Sequence, residues 1–491
     1  MLVISIWLST WFKMALINQD FIDSITQDMP AHLSMDDFVQ YSSRPLRASI
    51  RVNTLKISSA NFIELMQPKG WTLEPIPWCS DGFWISLDSE VQLGNTIEHL
   101  QGLFYIQEAS SMLPPTALFS QLNETDNATI LDMAAAPGSK TTQLAALMNN
   151  SGLLIANEYS SSRVKVLHAN VQRMGVSNTA LTHFDARVFG EYLYATFDAI
   201  LLDAPCSGEG TIRKDPAALK NWSLESSRSI VATQKALIES AFLALKTGGI
   251  LVYSTCALSR VENQEVCQHL KEMYPDAVEF ESLRDLFIDA DKACTEEGFL
   301  HVWPQIYDSE GFFVAKIRKT ADIDRQVAEP RKQKNFPFTR ASHKTDSKLR
   351  AYFQDTFAIE LPSQSQIMVR EQEFWLFPQK MQGLIGRMRF QRIGMKIAEE
   401  LKHGIKAQHQ AIQALSTQAS MIELSQSQAT QYLMGRDIPL EAGLKPQGEV
   451  IVSYHNSPLG LAKHLGKRLK NNLPRELVRD KIVNSDASKS Q

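Results

Sequence analysis

Three shortages narrow what this chain can be. Only five of its 491 residues are cysteines (Cys79, Cys206, Cys256, Cys267 and Cys294), an odd number without the spacing of metal ligands. That disfavours a disulfide scaffold or a bound metal and points to free thiols in a reducing cytoplasm. Long apolar runs are also missing. Residues 1–12 are the most apolar stretch, yet they fall short of the ~17–25 residues that a spanning helix needs. No small-residue cleavage site follows them, so neither anchor nor signal peptide is expected, and Met14-Ala15 reads as a plausible start. Finally, 50 Lys and Arg face 54 Asp and Glu, a net charge of −4. Any nucleic-acid surface must therefore be local. The hydrophobic content of 44% is ordinary for a globular protein, and the length implies more than one domain.

What is present is organised around Phe197-Asp198-Ala199-Ile200-Leu201-Leu202-Asp203-Ala204-Pro205-Cys206-Ser207-Gly208-Glu209-Gly210. Its apolar run has strand length, so it reads as a strand buried on both faces. Pro205 cannot donate to a ladder, which stops the strand just before it. Asp203 and Cys206 then lie at a strand's carboxyl end, where open α/β sheets hold ligands.

Strand–helix alternation from 128 to 256 predicts a doubly wound α/β sheet with crossover helices. Strands are expected at 128–133, 152–156, 179–183, the 197 stretch and 250–254, with a late strand at 311–317. Helices are expected at 142–148, 161–174, 223–245 (closed by Gly248-Gly249) and 261–273. Upstream, helical spacing over 20–40 and strand-like pieces at 71–76, 82–85 and 102–107 make a small α+β module of residues 15–110. Its Arg44, Arg47 and Arg51 read either as a solvated face or as phosphate contacts. The sheet domain takes 111–319. Eleven Lys or Arg against four Asp or Glu in 316–350 mark a basic linker, placed at 320–350. A C-terminal region follows at 351–485, with Lys463, Lys467, Arg468 and Lys470 clustered near its end. Residues 485–491 read as a frayed tail.

The turn after the first sheet strand tests two ligand classes. Ala134-Ala135-Ala136-Pro137-Gly138-Ser139-Lys140-Thr141 lacks the first glycine of a phosphate-binding loop, since position 133 is methionine. The three spaced glycines of a dinucleotide site are absent too. A small-residue turn leading into a helix suits a ligand without a diphosphate, such as S-adenosylmethionine. Asp132, Glu158, Asp185 and Asp203 fall where four successive strands end, placed for ribose hydroxyls and an adenine amino group. Cys206 and Cys256 end two strands that would be neighbours, so they can converge over one pocket. Beside a methyl donor, a thiolate adding to carbon-6 of a cytosine makes carbon-5 nucleophilic. A carboxyl group such as Asp203 can serve the ring nitrogen.

Asp203-Ala204-Pro205-Cys206-Ser207-Gly208-Glu209-Gly210, Tyr253-Ser254-Thr255-Cys256-Ala257-Leu258 and the 135–141 turn resemble the signatures of the RNA cytosine-carbon-5 methyltransferase family. The resemblance covers roughly residues 40–320 and implies a Rossmann-like sheet. It implies that Cys256 is the nucleophile, that Cys206 aids product release, and that Ala134, Ala135, Ala136, Pro137, Gly138, Ser139, Lys140, Glu158, Asp185 and Asp203 meet the cofactor. Asp132-Met133-Ala134 lacks the cysteine many members carry there, and Ser139 replaces a frequent glycine. These departures, with Arg44-Pro45-Leu46-Arg47 and the long C-terminal extension, resemble the bacterial F-type branch. That implies a cytosine of 16S rRNA in the decoding region of the small ribosomal subunit. The C-terminal region resembles a PUA-type RNA-binding barrel, and a flipped base is expected. Two alternatives stay open: the same chemistry on tRNA, and a non-catalytic RNA-binding assembly factor.

Overall fold

The computed structural model describes residues 19–87, 91–122, 127–215, 218–219, 223–416, 420–441, 445, 447–483 and 485. The apolar stretch 1–12, the start at Met14 and the tail beyond Ser485 lie outside these residues. Helical spacing over 20–40 resolves into two helices, Gln19–Asp28 and Met35–Ser42. Pro30 cannot continue a helix, and the Ser34 side chain caps the second helix by accepting from Asp37 N.

The N-terminal strands β1 (Ser49–Val52), β2 (Trp71–Ile76), β3 (Cys79–Leu87) and β4 (Phe104–Ile106) form an antiparallel sheet in the order β2-β3-β1-β4. Ile50, Val52, Phe62, Trp71, Phe83 and Phe104 make its core. Of the three arginines upstream, Arg51 is neither solvated nor placed for phosphate. It is 2% exposed and donates to Gln107 Oε1 (3.0 Å) and Thr142 Oγ1 (2.8 Å). Arg47 pairs with Glu74 and covers the Trp84 ring.

The central sheet is doubly wound. β5 (Thr129–Asp132), β6 (Leu153–Asn157), β7 (Thr179–Thr182), β8 (Phe197–Asp203) and β9 (Leu245–Thr255) pair in parallel in the order β7-β6-β5-β8-β9. The order reverses at β5, which opens a crevice at the carboxyl ends of β5 and β8. β10 (Val278–Glu281), β11 (Leu300–Val302) and β12 (Phe312–Lys319) extend the sheet, β12 running antiparallel to β9. Leu201, Leu202 and Ile200 are fully buried, because helices cover both faces.

Three elements differ from the periodicity. The long helix ends at Ala244 and β9 already starts at Leu245. Gly248-Gly249 therefore lies within a strand, where the pairing with β8 shifts register and an added Cβ on Gly249 would meet Asp198 O at 2.9 Å. The helix expected from 261 starts at Gln264, because buried side chains hold the residues before it in a loop. The basic stretch is no free linker. Lys316 and Lys319 are buried in β12, Lys319 Nζ donating to Leu245 O (2.8 Å). Phe336 and Phe338 pack against Phe377, and the helix His343–Phe357 runs across residue 350.

The C-terminal region holds two five-stranded sheets. Between two strands of the first of these, Arg392–Ile393 adds an antiparallel strand to β7, so this region shares the central sheet's edge. Lys463, Lys467, Arg468 and Lys470 are exposed in and between the paired strands Ser457–His464 and Arg468–Asn471. Ser485, expected in a frayed tail, is 3% exposed, and its carbonyl accepts from Trp71 Nε1 (2.8 Å). No described helix is long and apolar enough to cross a membrane.

The N-terminal module is locked to the sheet by Asn53, fully buried, whose Nδ2 donates to Gly102 O and Met174 O, both at 2.8 Å. Gly102 must be glycine: its φ is +73° and a Cβ would meet Arg173 O at 2.0 Å. Asn53→Ala leaves two buried carbonyls unpaired, at about 1–3 kcal/mol each. The expected result is a clearly lowered thermal midpoint, read by calorimetry against the parent protein.

Candidate active site

Two loops at the carboxyl edge of the sheet carry the thiols. β8 ends at Asp203 and Pro205 turns the chain away, while β9 ends one residue before Cys256. Ala204 N donates to Ser254 O (2.8 Å), so the strands stay paired up to the loops. Cys206 Sγ and Cys256 Sγ lie 2.9 Å apart, both free and both partly accessible. Cys79 and Cys267 are buried elsewhere, and Cys294 is half-buried in another part of the fold.

The loops are held by two carboxylates that each reach across to the other. Glu209, in the loop after β8, accepts from Leu258 N (3.0 Å) and Ser259 N (3.1 Å) after β9. Glu262, after β9, accepts from Ser207 N (3.0 Å) in the β8 loop and from Gln234 Nε2 (2.9 Å). Both are fully buried. Asn263 completes the second loop by accepting from Thr255 Oγ1 (2.5 Å) and donating to Ala257 O (3.0 Å). Gly210 N donates to Cys256 O (2.7 Å), and a Cβ there would meet Gly311 O at 2.2 Å. None of these partners was singled out from sequence. An acid inside an otherwise small and apolar motif was the available signal.

Asp203 stands beside the thiols. Its carboxylate accepts from Lys140 Nζ (2.7 Å) and from Ser254 Oγ (2.8 Å). Lys140 is nearly buried and lies 5.5 Å from the Phe312 ring. Burial pulls its ammonium pKa down, but Asp203, then Asp132 and Cys256, more than offset this, so it stays charged. The Cys206 thiol is pushed well above its usual range, first by its contact with Cys256 and then by burial, so Cys206 keeps its proton.

The other strand-end acids have different fates. Asp132 is buried beneath the turn, where its carboxylate accepts from Thr141 Oγ1 (2.6 Å) and burial pushes it up to about 7. Glu158 is 4% exposed and accepts from Ser160 N (2.8 Å) and Ala136 N (3.3 Å). Asp185 is paired with Arg187 in solvent, which holds its carboxyl below the usual range. Along the sheet edge, Asp185, Glu158 and Asp203 follow the ends of β7, β6 and β8, with the turn 134–140 rising from β5 between them. Gly138 takes φ +108° and caps the helix Ser139–Leu147. A Cβ there would crowd Leu167 at 3.0 Å. The set offers small-residue backbone and carboxylate acceptors, which suit a nucleoside, and no phosphate cradle.

The family described as 16S rRNA methyltransferase RsmB/F matches residues 119–318. Its companion domains match too: the N-terminal domain of 16S rRNA methyltransferase RsmF at 17–109, a pre-PUA domain at 338–415 and a methyltransferase PUA domain at 419–479. The ribosomal RNA small subunit methyltransferase F of Shewanella sediminis is 74% identical over 97% of this chain and 99% of its own length. This chain belongs to the RsmB/F family of 16S rRNA methyltransferases. The Shewanella woodyi relative of the same name is 72% identical over 96% of this chain and 99% of its own. The crystal structure of NSun6 from Pyrococcus horikoshii with SFG superposes with a TM-score of 0.51 at 25% identity, covering 58% of this chain and 94% of that one. S-adenosylmethionine is the cofactor that this family assignment brings, and the donor set described above fits it.

The reciprocal carboxylates give a direct test. Glu209→Gln keeps the shape but weakens two charge-assisted bonds that hold the Cys256 loop. Methyl transfer is expected to fall at least ~10-fold, since small misplacements of reacting groups are costly. Cofactor affinity, read by titration calorimetry, should stay at the parental value.

Proposed function

We propose that this chain forms 5-methylcytosine in 16S rRNA, within the small ribosomal subunit, through a covalent adduct at Cys256. The observation that carries the reading is the pair of thiols 2.9 Å apart on adjacent strand ends, beside Asp203 and Lys140. A pure RNA binder needs neither thiol, and other methyl acceptors do not need two.

In this reading Cys256 adds to carbon-6 of the flipped base and the ring electrons move toward the ring nitrogen and carbonyl. Asp203 and Lys140 face that developing charge, a carboxyl and a cation already paired with each other. Bound S-adenosylmethionine supplies an electrophilic methyl group to carbon-5. Ala134 to Lys140, Glu158, Asp185 and Asp203 would hold it, the acids accepting from hydroxyl and amino groups. Cys206 retains its proton next to Cys256 and so can supply it to the departing sulfur. The exposed Lys463, Lys467, Arg468 and Lys470 offer phosphate contacts despite the acidic total. Five free thiols suit a cytoplasmic setting.

Cys256→Ala is expected to abolish transfer while leaving cofactor binding intact, measured with labelled donor and purified small subunits. Normal turnover by that variant rules out the nucleophile. Cys206→Ala is expected to trap the protein–RNA adduct as a denaturant-resistant band, and absence of the band removes the release role. Parallel assays on bulk tRNA decide between rRNA and tRNA as substrate.

A further inference from the structure

The proposed reaction leaves one proton without a destination. After methyl transfer, carbon-5 carries both a methyl group and its original hydrogen, which must leave as a proton before sulfur can depart. Cys256 is then bonded to carbon-6, Cys206 serves as the proton donor to the departing sulfur, and both Asp203 oxygens are engaged by Lys140 and Ser254.

A further carboxyl group sits where β12 begins beside the loop that carries Cys256. Glu310 lies two residues before Phe312, the first residue of β12. The last registered pair between β12 and β9 is Phe313 with Thr255, so the next residues along are Phe312 and Cys256. The neighbouring backbone joins the two loops: Gly311 N donates to Gly210 O (3.0 Å), and Gly210 N donates to Cys256 O (2.7 Å). Glu310 is 5% exposed, and its Oε1 is buried without a hydrogen-bond partner. A buried acceptor left unpaired is costly, so such an atom calls for a role that a ligand completes.

Its surroundings rule out a plain ion pair. Arg213, a buried cation in the same neighbourhood, is paired with Asp308 (2.8 Å) and donates to the carbonyls of Ser309 and Pro45. Glu108 accepts from Glu310 N (3.3 Å), while its other oxygen is held by Ser110 Oγ and by Ser111 N (3.1 Å). Burial first, and then Glu108, push the Glu310 carboxyl up to about 8, against the pull of Lys214, Arg213 and Lys140. A base whose pKa lies near the working pH combines availability with driving force.

Resting on the cytosine reading above, we propose that Glu310 is the base that takes the carbon-5 proton when the adduct collapses. The carbon-5–hydrogen bond breaks and its electron pair forms the carbon-5–carbon-6 double bond. The carbon-6–sulfur bond breaks with its pair leaving on Cys256, and the proton goes to the Glu310 carboxylate. Because Glu310 must be ionised to act, the step speeds up as pH rises through its pKa and then levels off.

The test uses the full chain and small subunits whose rRNA carries tritium at carbon-5 of cytosine, comparing methyl incorporation with tritium release. The parent protein should release one tritium per methyl, with release rising through about pH 8 and levelling off above it. Glu310→Gln should bind S-adenosylmethionine normally, accumulate a methylated adduct that keeps its tritium, release it ~100-fold more slowly and lose the rise with pH. Glu310→Asp should recover part of the release. Tritium release by Glu310→Gln at the parental rate, or with the parental pH profile, overturns the proposal. Should Glu310→Gln fail to bind cofactor through misfolding, the folded Glu310→Asp variant decides: an unchanged rate and pH profile overturns it. If the parent protein itself transfers methyl groups without releasing tritium, the cytosine carbon-5 reading fails and this proposal falls with it.

Discussion

Glu209 and Glu262 are the constraint on which the thiol geometry depends. Each sits in one loop and accepts backbone N–H groups from the other, so neither loop can shift alone. A buried carboxylate is expensive unless it is hydrogen-bonded, and here peptide N–H groups bind one oxygen of each. The same bonds order two loops that would otherwise be free to move. The two sulfur atoms lie 2.9 Å apart, and the crossed carboxylates hold the loops that carry them.

Around that clamp, charge is distributed so that the cleft is acidic in composition but not in effect. Asp203 is offset by Lys140, Asp132 is pushed toward neutrality by burial, and Cys206 stays protonated. A polyanionic substrate can approach such a cleft without meeting a wall of negative charge. The net charge of −4 is thus a poor guide to the surface that RNA would see, because exposed Lys463, Lys467, Arg468 and Lys470 lie together on the C-terminal sheet.

The outer modules are fastened to the sheet domain and not strung along it. Asn53 and the close approach at Gly102 fix the N-terminal module against Met174 and Arg173. Lys56 donates to both Gln101 O and Arg173 O at the same seam. Arg392–Ile393 gives the C-terminal region a strand in the central sheet, and Ser485 returns the chain to Trp71. These contacts fix where the basic strands sit relative to the thiols, so a base delivered by one surface can be met by the other.

Much of the central domain was legible because its signals are local. The run before Asp203, the proline after it, the small-residue turn at 134–140 and the strand-end thiols depend on residue type and spacing over a few positions. They determined the doubly wound sheet and which edge gathers the candidate site residues. Other features depend on neighbours distant in the chain. Gly248-Gly249 lies in a strand because β8 sets its register, and Arg51 is buried because the helix after Gly138 meets it. The partners of Glu209, Glu262 and Glu310 could not be read, since a carboxyl group in a loop motif has the same local signature in solvent or in a core. Sequence by itself determined the chemical groups and their strand ends. Only the tertiary structure decided which of them are buried and what each one touches, because burial and long-range hydrogen bonding are properties of the packed chain.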